Sequence, residues 1–351
     1  MVQEISVEEI TSLENTVFID VRSQKEFLEG TIPGAYNIPL FDNEERAEIG
    51  TIYTQESPKK AAELGLQIAS SKLPYLYKQV EVLAGKSPVM LFCWRGGMRS
   101  KSLAVILDLM GLSVYRLRGG YKAYRHAIVE FFDQEFPFHV VVLKGNTGTG
   151  KTEILKQLKD EGYPVIDLEG LSNNRGSVFG HIGLGSQPTQ KQFESLLYQE
   201  ISGYLSRYSY VLLECESKRI GRVTIPSAVY TAMQEGTQIL IYDSPDRRIH
   251  RLVKEYTDML DPDDDLKKAL ERLKKRIGKA GLAELLEMLE KKDYAGFSRK
   301  IILEYYDPLY GYPNENSDSY DLCVLHNPSQ DALQKIKNFL DERFNLGTIP
   351  K

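Results

Sequence analysis

The chain has 351 residues, 42% of them hydrophobic and 26% charged, with a formal net charge of −5. That length provides for two domains of ordinary size, each with its own core. The acidic balance excludes a protein that coats nucleic acid over its whole surface, while leaving room for a local basic patch.

No apolar run is long enough to span a bilayer, and Met1-Val2-Gln3-Glu4-Ile5 lacks the basic segment and apolar stretch of a secretory signal. Three widely spaced cysteines, Cys93, Cys215 and Cys323, form neither a disulfide framework nor a paired metal-ligand set. The expected setting is the cytoplasm, with reduced thiols and no membrane association.

Along the chain, Thr16–Val21 is a short β-rich run, and Val89–Phe92 is another, entered through Ser87-Pro88. Ser100–Met110 carries helical apolar spacing at Leu103, Val105, Ile106 and Leu109, and Ser113–Leu117 reads as a strand closed by Gly119-Gly120. This alternation predicts a parallel sheet flanked by helices. A boundary falls within Phe131–Phe138, after which alternation restarts with the strand His139–Leu143 and the helical run Glu153–Lys159. Tyr208–Leu213 and Thr237–Tyr242 read as buried strands. Long charged helices follow Asp243 as far as Glu304, and Pro308–Asp318 reads as a loop.

Cys93-Trp94-Arg95-Gly96-Gly97-Met98-Arg99-Ser100 lies between a strand and a helix. A loop so placed aims backbone N–H groups and a helix N-terminus at one point. With Arg95 or Arg99 those donors would favour the thiolate and hold an anion against the sulfur. The two glycines permit the tight turn. The bland alternative is a buried, inert cysteine at a strand end.

Gly145-Asn146-Thr147-Gly148-Thr149-Gly150-Lys151-Thr152 fits G-x-x-x-x-G-K-[ST] in full, between a strand and a helix. Its N–H groups would cradle a di- or triphosphate. Lys151 would pair with that charge, and the Thr152 hydroxyl could ligate Mg²⁺. No dedicated metal-ligand set is read from the sequence; Mg²⁺ enters only with the phosphate ligand. Glu214, at a strand end, is either the metal-side acid or a surface carboxylate. Taken alone, the loop reads as a nucleotide kinase or NTPase.

Other candidates are weaker. Arg247, Arg248 and Arg251, with Lys267, Lys268, Arg272, Lys274, Lys275, Arg276 and Lys279, form the densest basic stretch. It is either an RNA-backbone contact or a solvated helix face. Arg175 and His181 could touch an anionic ligand or RNA, although a structural role is expected for His181. Packing is expected for Tyr305, Tyr306 and Tyr310, and burial without reactivity for Cys215 and Cys323.

The N-terminal region resembles the rhodanese family. The resemblance rests on Asp20-Val21-Arg22 with Glu26-Phe27, on Gly30–Pro39, on the cysteine loop and on Leu117-Arg118-Gly119-Gly120-Tyr121-Lys122-Ala123-Tyr124. It implies sulfur carried as a persulfide on Cys93. One departure is the C-x5-R loop from Cys93 to Arg99, one residue longer than the common sulfurtransferase loop. Rhodanese-like phosphatases share that length, but usually place histidine where this chain has Phe92.

Over nearly its whole length the chain resembles the tRNA 2-selenouridine synthase family. The carrying motifs are the two loops, Asp167–Ser177, Phe179-Gly180, Gln187–Gln190 with Phe193-Glu194, Glu214–Ser217 with Ile220-Gly221, and Tyr305–Tyr310. The resemblance implies a cytoplasmic transferase acting on tRNA, which replaces the sulfur of wobble 2-thiouridine by selenium through a geranylated 2-thiouridine intermediate. Its co-substrates would be selenophosphate and geranyl diphosphate, and the phosphate loop would hold either the latter or a nucleotide. Cys93 would bind or relay selenium as a selenylated cysteine.

The expected fold is α/β: an N-terminal rhodanese-like domain with a parallel sheet over residues 1–133, then a P-loop NTPase-like α/β domain with a helical extension over residues 138–351. The alternative function is a sulfurtransferase or rhodanese-like phosphatase fused to an NTPase. A third, a non-catalytic tRNA-binding module, conflicts with an intact Cys93 and a complete phosphate loop.

Overall fold

A computed structural model describes residues 2–175, 184–257, 263–327 and 331–344; His181 and Asp261 lie outside them. The chain divides into two compact units, Met1–Asp133 with Thr189–Ser202, and Gln134–Pro188 with Gly203–Lys351. Both are α/β with an all-parallel five-stranded sheet.

In the first unit the strands are β1 (Gln3–Ile5), β2 (Val17–Asp20), β3 (Tyr36–Asn37), β4 (Val89–Phe92) and β5 (Val114–Leu117), in the order β1-β5-β4-β2-β3. Parallel strands need crossovers. Helices α1 (Gln24–Glu29), α2 (Asn43–Gln55), α3 (Pro58–Ala84) and α4 (Met98–Leu109) lie along these connections, and α5 (Gly120–Asp133) follows β5. Local chemistry fixes their starts. Ser23 with Glu26 and Asp42 with Glu45 form reciprocal capping boxes, and Pro58 stands at the first turn of α3, where no backbone N–H is missed. The middle strand β4 is buried along its whole length, as a strand covered on both faces must be.

Asp20 and Arg22 carry the sequence motif into this core as a closed ion pair. Arg22 Nη2 lies 2.6 Å from the Asp20 carboxylate and also donates to Gly30 O, Thr31 donates to Asp20, and the guanidinium sits 4.0 Å from the Tyr121 ring centre. Every charge buried here has a partner, as burial of charge requires.

The second unit contains β6 (His139–Lys144), α6 (Lys151–Asp160), β7 (Val165–Ile166) and α7 (Leu168–Ser172). Helix α8 (Gln190–Ser202) then belongs to the first unit, although second-unit chain flanks it on both sides. Within the first unit Arg125 pairs with Glu194, Gln192 accepts from Thr31 N–H, and Tyr198 meets Tyr124 and Phe131 edge to face.

The chain continues through β8 (Tyr210–Glu214), a ribbon of β9 (Arg219–Ile220) and β10 (Val223–Thr224), α9 (Ser227–Glu235) and β11 (Thr237–Tyr242). The helical extension is α10 (Pro245–Thr257), α11 (Asp263–Glu290, broken at Gly278), α12 (Tyr294–Lys300), a π-helical turn over Ile301–Tyr306, and α13 (Asp307–Tyr310). Strand β12 (Leu322–Leu325) and α14 (Ala332–Phe344) close the unit, giving the order β12-β11-β6-β8-β7. The extension has its own core of Leu266, Leu270, Leu285, Phe297 and Ile302.

Two local expectations need correcting. The predicted loop Pro308–Asp318 begins as α13, because Pro308 suits the first turn of a helix and Gly311 ends it in a left-handed conformation. Cys215 and Cys323 are half-buried, not fully buried. Cys215 lies just beyond β8, with Sγ 3.2 Å from the Tyr312 hydroxyl. Among the described residues, no helix is long and apolar enough to cross a membrane.

Candidate active site: a cysteine loop and a phosphate loop

Cys93 follows the C-terminal end of β4 and is 3% exposed. Its loop is folded against the closing motif of the same unit: Tyr121 N–H donates to Cys93 O and Lys122 N–H to Trp94 O, both at 2.9 Å. Only glycine fits at position 120, since φ is +61° and a Cβ there would lie 2.3 Å from Cys93 O and 2.4 Å from Gly96 N. Helix α4 then begins with no side-chain cap, so its first-turn N–H groups and positive pole stay on the loop.

The Ser100 hydroxyl donates to Cys93 Sγ at 3.2 Å. Arg99 is turned to a carboxylate, with Nη1 2.8 Å from Glu26, while Arg95 is exposed. Glu26 is held below the ordinary carboxylate range: burial opposes the shift, and the bonds and charge of Arg99 outweigh it. The side chain that hydrogen-bonds the sulfur is Ser100, which the sequence reading had given no role.

In the second unit the phosphate loop follows β6, the middle strand of five, so it opens at the C-terminal edge of a parallel sheet. That edge is where α/β sheets gather ligands. Gly145, Gly148 and Gly150 have φ of +149°, +80° and +87°, and a Cβ at Gly145 would stand 2.1 Å from Ile241 O. Gly150 leads into α6 with no side-chain cap. Lys151 Nζ lies 2.9 Å from Gly145 O and 3.4 Å from Glu214, and the Thr152 hydroxyl donates to Glu214 at 2.9 Å. The loop is braced from beneath: Asn146 donates to Tyr312 O and Asn314, and the Thr149 hydroxyl donates to Asn146 O.

Arg248 donates to Thr147 O at 2.8 Å and pairs with Asp307. Arg251 donates to Gly148 O at 2.9 Å and pairs with Asp243. Arg248 is wholly buried. The RNA-contact reading of Arg248 is thereby corrected: its guanidinium is used up inside the fold, holding the loop. Lys274, Lys275, Arg276 and Lys279 are exposed on α11.

Beside the loop is a cavity of about 540 Å³. Lys151, Thr152, Arg175 and Glu214 line it, as do Glu169 and Glu216, which the sequence reading did not single out. Carboxylate oxygens of Glu169, Glu214 and Glu216 all lie within 4.8 Å of one another. Burial first, then the neighbouring carboxylates, raises both Glu169 and Glu216 well above the ordinary range, with Lys151 opposing. Such a cluster needs a proton or a cation, and an all-oxygen set beside a phosphate loop fits a hard divalent ion. The wall also contains Leu184, Leu252, Tyr306, Tyr310 and Tyr312. Tyr305 and Tyr306 are packed as expected, but Tyr310 is 40% exposed.

A family model for the rhodanese-like domain matches residues 6–127, and one for the tRNA 2-selenouridine synthase AAA domain matches residues 138–343. A tRNA 2-selenouridine synthase of Sulfurovum sp. (strain NBC37-1) is 32% identical, over 94% of this chain and 96% of that protein. One of Hydrogenovibrio crunogenus is 32% identical over 86% and 90%, and one of Proteus mirabilis 32% over 85% and 88%. Among solved structures, the N-terminal domain of a putative ATP/GTP binding protein from Clostridium difficile 630 is 40% identical. It covers 36% of this chain and 99% of its own, with a TM-score of 0.35. An α/β chain that joins a rhodanese-like unit to a phosphate-loop unit in this order, and matches these relatives over most of its length, belongs to the tRNA 2-selenouridine synthase family.

Proposed function

We propose that this protein replaces the sulfur of wobble 2-thiouridine in tRNA by selenium, in two steps. In the first, geranyl diphosphate alkylates the thiocarbonyl sulfur: the C1–O bond breaks, an S–C bond forms, and diphosphate and the N3 proton depart. In the second, the selenium of selenophosphate attacks C2, the alkylated sulfur takes up a proton and leaves as geranylthiol, and water cleaves the P–Se bond to release phosphate and restore the N3 proton. A thiocarbonyl sulfur is a poor leaving group, and alkylation cures that defect.

The observation that carries this reading is the composition of one cavity wall. The phosphate loop opens beside Leu184, Leu252 and three tyrosines, a combination that suits a diphosphate with an apolar tail. Backbone N–H groups of the loop and Lys151 would meet the charge that grows on the leaving diphosphate. Thr152 and Glu214, with Glu169 and Glu216, would hold a divalent cation such as Mg²⁺, which supplies further neutralisation of the diphosphate. Arg175 lines the same cavity and is assigned to the anionic ligand.

Cys93 is assigned to the selenium donor. The uncapped start of α4 offers N–H groups to the selenophosphate anion, and the Ser100 hydroxyl donates to the sulfur. A selenylated cysteine lies two electrons above selenide, so binding the donor against the loop is the simpler role. The test is incubation of 2-thiouridine tRNA with geranyl diphosphate and selenophosphate, followed by mass analysis of the nucleosides. S-geranyl-2-thiouridine and then 2-selenouridine are expected. If neither product forms while tRNA stimulates ATP hydrolysis, the sulfurtransferase–NTPase alternative takes its place.

A further inference from the structure

The cavity beside the phosphate loop has a mixed lining. Its lining includes the phosphate-loop residues Gly145, Thr147, Gly148 and Gly150 with Lys151, which suit an anion. The lining also includes a row of tyrosines, Tyr306, Tyr310 and Tyr312. Tyr306 and Tyr310 have ring centroids 5.8 Å apart with planes inclined by 3°, and Tyr310 and Tyr312 are 6.2 Å apart with planes inclined by 19°. Near-parallel rings at that spacing are offset, not stacked face on face, so the middle ring keeps part of its face uncovered.

The three rings are firmly placed. Tyr306 is 2% exposed, anchored in the core of the extension. The Tyr312 hydroxyl meets Cys215, and its carbonyl accepts from Asn146 of the phosphate loop. Tyr310 stands between them in α13 and lines the cavity, at 40% exposure.

We propose that Tyr310 is a catalytic residue of the alkylation step: its π face stabilises the positive charge that develops on C1 of the allylic chain as the diphosphate departs. The proposal deepens the prenyl diphosphate reading and rests on it. Breaking the C1–O bond sends the electron pair to diphosphate and leaves a delocalised allylic cation, which the thiouridine sulfur captures. An aromatic face attracts a cation through its quadrupole, most strongly where water is excluded. A cavity lined by the phosphate loop and its lysine together with a partly exposed aromatic ring is suited to separating those two charges. Tyr306 and Tyr312 are positioning residues that fix the orientation of the middle ring.

The test uses the full chain with 2-thiouridine tRNA and geranyl diphosphate. Tyr310→Phe keeps kcat for geranylation within about 3-fold. Tyr310→Leu, similar in apolar bulk but without a π face, keeps KM for geranyl diphosphate and lowers kcat by about 10- to 30-fold, the scale of a desolvated cation–π contact. Phenylalanines bearing one, two and three fluorines at position 310 lower kcat stepwise while volume hardly changes, a trend that mere packing would not produce. A flat series, or wild-type kcat in Tyr310→Leu, overturns the proposal. So does a rise in KM for tRNA alone, which would make the ring a stacking platform for a base. If the wild-type chain forms no geranylated nucleoside, the prenyl reading itself has failed, a result distinct from a flat series in an active enzyme.

Discussion

The cysteine loop and the phosphate loop occupy equivalent places. Each follows the middle strand of a five-stranded parallel sheet, and each leads into a helix whose N-terminus no side chain caps. The backbone device is shared, and the surroundings differ. Around Cys93 Asp20 is paired with Arg22 and Glu26 with Arg99, Arg95 is exposed, and a hydroxyl contacts the sulfur. Around Lys151 three carboxylates crowd together beside an open cavity. The first arrangement keeps a thiol in a quiet, nearly closed seat. The second holds its charges poised for a ligand that brings charge of its own. An anion-binding helix start does not specify a chemistry; the side chains that converge on it do.

The largest effects should come from separating the two loops. Cys93→Ser is expected to lose selenation by at least about 10³-fold while geranylation continues. Lys151→Ala should lose about 10²- to 10³-fold in geranylation, the scale of removing a preorganised electrostatic donor, while still selenating a pre-geranylated RNA. Nucleoside mass analysis reads both. Equal loss of both steps in each variant would break the division of labour.

Next in size is Arg248→Ala. It leaves Asp307 with no guanidinium and removes a donor from Thr147 O. Losing one partner of a buried pair costs about 3–5 kcal/mol. Denaturant unfolding should show the second unit weakened and the first unchanged. A shift in both would mean that the pair supports more than the phosphate loop.

A smaller effect concerns pH. Glu169 and Glu216 have raised carboxyl pKa values in the folded protein. Their contribution is therefore fully present below the unfolded-state carboxylate pKa, about 4.3, and is lost as pH rises through the folded values. Without divalent cation, the second unit should melt lower at mildly alkaline than at mildly acidic pH. Glu216→Gln should remove much of that slope and raise Tm at alkaline pH by about 2–4 °C, equivalent to about 1 kcal/mol. Mg²⁺ should stabilise the wild-type chain more as pH rises. A Tm that Mg²⁺ leaves unmoved at every pH would argue that the cluster holds protons and no metal.

The smallest effect is expected at the exposed lysines of α11. Reversing Lys274, Lys275 and Lys279 should reduce the salt dependence of tRNA binding by about 0.9 per lost phosphate contact. An unchanged slope would mark them as a solvated helix face.

Much of this was legible in the chain. Parallel strands buried on both faces read as continuous apolar runs, which is why β4 and β11 fall where Val89–Phe92 and Thr237–Tyr242 predict them. The loops were legible because glycine and charge patterns there are dictated by backbone geometry. Other features depend on proximity between distant residues. Glu169 comes from α7 and Glu216 from beyond β8, and only the fold brings them together. Their one local signal is the Glu214-x-Glu216 spacing, which places two side chains on the same side of an extended segment. Arg248 looked like a surface cation because its partner, Asp307, lies 59 residues away. Tyr312 gave no signal within a Pro- and Gly-rich stretch.

Helix α8 has a consequence for synthesis and for cutting the protein apart. The first unit is not finished when Asp133 leaves the ribosome, because Thr189–Ser202 has still to be made. Until then the faces of Tyr124 and Phe131 that Tyr198 covers are exposed to solvent. Vectorial translation therefore interleaves the two units: about one quarter of the second must emerge before the first can close. A fragment ending at Asp133 should bind a hydrophobic dye more strongly than the same fragment supplied with residues 189–202 as a separate peptide. Division at the apparent linker cuts between sequence motifs but through a structural unit.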